Sequence, residues 1–136
     1  MRTKLAVVIV GAGLLLAIVP AWAHHAFAAE FDANKPLKLR GTVTKMDWVN
    51  PHAWVHLDVK NADGTVTSWM VEGGSPNALL RRGFNKNSLL PGTEISVDAF
   101  QAKDGTNRAN GQSITLTDGK KLFLGSSGEN AGEPAK

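Results

Sequence analysis

The sequence has no cysteine and no tyrosine. The missing thiols exclude a disulfide framework, a Cys-based zinc site and a thiol nucleophile. An excess of one charge is missing too: 15 Lys+Arg stand against 12 Asp+Glu over 136 residues. A long apolar run is also wanting. The only substantial one, from Leu5 to Val19, falls short of the ~20 residues that a spanning helix needs. What is there instead is a basic start at Arg2 and Lys4, an apolar middle, a helix-breaking Pro20 and the small-x-small run Ala21-Trp22-Ala23. That is the form of a secretory leader, cut after Ala23. An uncut leader kept as an anchor and a later cut after Ala28 are the alternatives.

Removal of residues 1–23 leaves 113 residues, and the loss of Arg2 and Lys4 lowers the formal charge from +3 to +1. The mature chain is expected to be periplasmic or secreted, soluble, and without a further membrane span. Near-neutral charge in an exported chain argues against nucleic acid as a partner. One domain is the limit at this length. The division expected is a leader over 1–23, an irregular arm over 24–36, a β-domain over 37–124 and a disordered tail over 125–136, where Gly, Ser, Glu, Asn and Pro cannot bury a core.

Leu37, Leu39, Gly41 and Val43 share one face of a strand. The phase then slips to Met46 and Trp48, so the strand should bend or bulge. Val49-Asn50-Pro51 is a turn. Ala53, Val55, Leu57 and Val59 alternate with Trp54, His56 and Asp58 in a second strand. Asn61–Gly64 is a hairpin connection into a third strand, Thr65–Glu72. Ser75 can cap a short helix over 77–82, with Pro76 in its first turn and Gly83 as terminator. Glu94–Phe100 and Ser113–Thr117 are further strands, and Lys120–Leu124 a candidate sixth. Three strands, a short helix and two or three more strands is the order of an OB-like Greek-key barrel, all-β apart from the helix.

Several stretches occur together: His24-His25-Ala26-Phe27 through Asp32, Trp48-Val49-Asn50-Pro51-His52, Gly74-Ser75-Pro76-Asn77, Asp104-Gly105-Thr106-Asn107-Arg108-Ala109, and Asp118–Phe123. In these the chain resembles a family of small secreted bacterial proteins catalogued only as a domain of unknown function. The resemblance spans roughly residues 24–127. It implies an exported single-domain β-protein and implies no activity. Phe84 departs from the pattern, since Trp is more usual there.

Two constellations could carry function. Cleavage after Ala23 would free the α-amine of His24, and that amine with the His24 ring can chelate one ion. A further imidazole, from His25, His52 or His56, would complete a nitrogen set suited to Cu(II). On one straight strand, positions 52 and 56 lie ~13 Å apart, so only one of them could join His24. The metal candidates are therefore His24, His25 and His52. The second constellation is the face carrying Trp54, His56 and Asp58, opposite Val55 and Leu57. Aromatic and polar side chains on such a strand can hold a sugar, another small ligand or an envelope protein partner. Each residue also has a plain structural reading: a turn-capping His52, a solvated His56, and a Trp54 covering the barrel.

Gly73-Gly74-Ser75-Pro76 presents backbone N–H groups at a helix start but lacks the Lys and spacing of a phosphate loop. No nucleophile with an orienting partner is spelled out, so catalysis is not expected. The expectation is an exported binding protein, either a Cu(II) binder or a metal-free module.

Overall fold

The computed structural model describes residues 27–125. The expected leader, the tail beyond Gly125, His24 and His25 lie outside these residues. Six strands and one helix follow: β1 Phe31–Asp47, β2 Trp54–Lys60, β3 Val66–Glu72, α1 Pro76–Arg81, β4 Glu94–Ala102, β5 Arg108–Leu116 and β6 Lys121–Phe123. Residues 27–30 are helical and lead straight into β1. Among the described residues no helix is long and apolar enough to cross a membrane.

The strands run β3-β2-β1-β4-β5-β6, and a parallel pairing of β3 with β5 turns the row into a ring. All other pairings are antiparallel. The all-β reading with one short helix therefore holds. The single long strand β1 makes the ring feasible. Its first part pairs with β4 and its last part with β2, overlapping at Thr42. The register against β2 shifts between Val43 and Lys45, the bulge expected from the slip in hydrophobic phase. Gly41 is needed for close approach there, because a Cβ would meet the Asp58 carbonyl oxygen at 2.4 Å.

Alternation places Val55 and Leu57 of β2 and Val97 of β4 at 0% exposure, with Val43 of β1 at 1%. Leu79 of α1, and Phe84 and Leu89 of the link from α1 to β4, add to this core. The helix starts as expected. Ser75 adopts extended geometry and its Oγ accepts from Ala78 N–H at 3.3 Å, while Gly83 turns the chain at φ +79°.

Two expectations fail. Residues 31–36 are not an irregular arm but the start of β1, with Pro36 opposite Phe100. Proline is tolerated because β1 pairs only with β4 at this point and the register is already interrupted between Phe31 and Pro36. The fifth strand begins at Arg108 rather than Ser113. The run Arg108-Ala109-Asn110-Gly111 falls before the strand expected from Ser113, yet its first three residues supply the parallel pairing with Met70, Val71 and Glu72 that closes the ring. Gly111 fits there because a Cβ would strike Leu124 at 2.5 Å and Val71 at 2.7 Å.

Candidate functional site

The outer face of β2 carries Trp54, His56 and Asp58, all half-buried, as alternation from Val55 and Leu57 requires. Their cross-strand partners on β3 are Glu72, Met70 and Ser68. Beyond β3, the parallel register sets Arg108 opposite Met70. The Met70 N–H donates to the Asn107 carbonyl at 3.0 Å, which pins the start of β5 against β3.

A groove of roughly 460 Å³ lies here, lined by Thr44, His56, Leu57, Ser68, Trp69, Met70, Asn107 and Arg108. Of the three residues singled out for ligand binding, His56 lines it directly. Asp58 borders it by accepting from the Ser68 hydroxyl at 2.7 Å. Trp54 borders it through Arg108, whose guanidinium carbon sits 5.2 Å from the indole centroid. Trp54 is thus no bare stacking platform, for its ring already carries a cation. Arg108 also reaches Glu30, at 3.3 Å. The N-terminal segment is tied down beside it. Phe27 packs on Phe31 and Phe100, the Lys103 N–H donates to the Glu30 carbonyl at 2.9 Å, and the Lys103 ammonium donates to the Ala28 carbonyl.

The two described histidines stand on different carboxylates. His56 Nε2 lies 2.7 Å from Asp47 Oδ2, and the Lys45 ammonium lies 2.8 Å from the other oxygen of Asp47. The hydrogen bond from Lys45, then that from His56, holds the Asp47 carboxyl below the ordinary value of 3.8. His52 Nδ1 lies 2.8 Å from Glu72 Oε1, with the His52 side chain 38% exposed and that of Glu72 11% exposed. His52 precedes β2, beside the turn that contains the cis Asn50–Pro51 peptide bond. Among the described residues no group of three or more His, Cys, Asp or Glu side chains is gathered as a metal set.

The Gly73–Pro76 segment is a strand-to-helix turn. The Gly73 N–H donates to the Ala53 carbonyl at 2.8 Å and the Gly74 N–H to the Leu124 carbonyl at 2.7 Å, so both donors are used within the fold. Arg82 also has a structural role, donating to the carbonyl of Gly125.

Sequence reasoning placed the β2 face but missed Thr44, Ser68, Met70, Asn107 and Arg108. Val66, Ser68 and Met70 alternate with Thr67, Trp69 and Val71, which was a signal for β3. Nothing local in Asn107-Arg108 predicts that it meets β2, because that proximity is made by ring closure.

Residues 12–112 match the model of a family described as "Family of unknown function (DUF6152)". No curated protein matches, and no solved structure matches.

Proposed function

The chain belongs to the DUF6152 family of unknown function, and we propose that it is an exported binding module whose outer β2–β3 face takes a small ligand. The observation that carries this reading is the meeting of Trp54, His56 and Asp58, directly or through one neighbour, at a single groove. The groove is of the size that a small organic molecule occupies, and it combines apolar surface from Met70 with convergent polar groups. The leader-like residues 1–23 support export. Among the described residues the Ser68 hydroxyl at the groove donates to Asp58 and His56 is paired with Asp47, so hydroxyl and imidazole do not form a nucleophile–base pair, and binding is the simpler role.

Amide NMR of the processed protein with a library of small sugars, carboxylates and aromatic amines tests this. Shift changes clustered on Thr44, His56, Ser68, Met70 and Arg108 are expected. Changes scattered over the surface would overturn it.

A second reading, Cu(II) binding by the His24 amine and ring with His52, draws support from the His52–Glu72 contact. A carboxylate on Nδ1 leaves Nε2 as the ligating nitrogen and fixes the orientation of the ring. Titration of the processed protein with Cu(II), followed by EPR, tests it. Tight one-to-one binding should be lost when a residue is added before His24, and also in His52→Ala. Weak binding indifferent to His52 would contradict it.

A further inference from the structure

Among the described residues Arg108 is the one Lys or Arg that lines the groove, and no carboxylate lines it. The nearby carboxylates are engaged at its edges. Asp47 holds His56 and Lys45, and Asp58 accepts from Ser68. Glu30 meets Arg108 from outside the groove at 3.3 Å, the longest of the ion pairs, with a side chain 56% exposed. An exposed pair of that kind contributes little and is readily exchanged for another anion. Trp54, by contrast, holds the guanidinium from the ring side and leaves its N–H fork for acceptors. Alongside, Met70 offers a flexible apolar side chain, 37% exposed.

We propose that the ligand of this groove is a small organic anion: a carboxylate, sulfonate or phosphate group on Arg108, with an apolar body against Met70. This rests on the reading of the groove as a binding site. The anion displaces Glu30 from Arg108, so Glu30 acts as a built-in competitor for the ligand's charge.

Two dyes with the same apolar skeleton separate the parts of this proposal. Anilinonaphthalene sulfonate carries the anion and N-phenylnaphthylamine does not. Fluorescence titration of the processed protein is expected to show both bound, the sulfonate more tightly. Arg108→Gln should weaken the sulfonate about tenfold, the worth of one charge-assisted contact, and the neutral dye by less than about twofold. Glu30→Gln should tighten the sulfonate about two- to fivefold, which no merely structural role for Arg108 would produce. Glu30→Gln also carries the test if Arg108→Gln fails to fold. Sulfonate binding indifferent to both variants, with neutral-dye binding still lost in Met70→Glu, would overturn the anion while leaving the groove. Binding of neither dye, or neutral-dye binding unaffected by Met70→Glu, would overturn the groove and the anion together.

Discussion

Arg108 lies over the indole of Trp54, its guanidinium carbon 5.2 Å from the ring centroid, although the two residues are far apart in the chain. The contact exists because β5 pairs in parallel with β3, which in turn lies beside β2. A cation over an indole at a partly exposed site is worth about 0.5–1 kcal/mol. A double-mutant cycle with Trp54→Leu and Arg108→Gln, read by urea unfolding, should return a coupling of about that size. A coupling of zero would mean that the two groups are only neighbours.

The Asp47 carboxyl is held below its ordinary value of 3.8 by hydrogen bonds from Lys45 and His56. The unfolded chain therefore binds the proton more readily than the folded one. The stability that Asp47 lends is fully present above about pH 4, and it is lost as the pH falls through the lowered folded value. Asp47→Asn should accordingly lower the melting temperature at pH ~7, and by a smaller margin at pH ~2. An equal difference at both pH values would show that the carboxylate's charge is not the cause.

Gly41 has no room for a methyl group. Its Cβ would sit 2.4 Å from the Asp58 carbonyl oxygen, a main-chain atom that cannot swing away. Gly41→Ala should cost about 1–3 kcal/mol in denaturant unfolding, by forcing β1 from β2. An unchanged midpoint would mean that the bulge at Val43–Lys45 absorbs the shift.

Phe84 is 1% exposed, and its ring lies near-parallel to that of Trp48, centroids 6.2 Å apart. Phe84→Ala should cost about 3–5 kcal/mol, the range for an aromatic removed from a closed core. A loss below about 1 kcal/mol would imply that the α1–β4 link repacks over the gap.

The legible part of this fold was the part with local periodicity. Val55 and Leu57 announced β2 and its outer face. The phase slip after Val43 announced the bulge, and Ser75-Pro76 with Gly83 bracketed the helix. Less legible was structure that depends on distant partners. Residues up to Pro36 read as an irregular arm, yet Pro36 stands within β1 where that strand has one neighbour only. Arg108 falls before the strand expected from Ser113, yet it begins the pairing that closes the ring and supplies the cation of the groove. His52 and His56 are close in sequence, but the fold gives each its own carboxylate, Glu72 and Asp47.

The central claim is that a ligand occupies the groove between His56, Ser68, Met70 and Arg108. Filling the groove tests it most directly. Ser68→Trp places a bulky ring within the lining, and Ser96→Trp on β4 serves as a control outside it. With folding checked by circular dichroism, Ser68→Trp should raise the dissociation constant of N-phenylnaphthylamine at least about tenfold, while Ser96→Trp leaves it unchanged. Equal binding by the parent protein and Ser68→Trp would contradict the account.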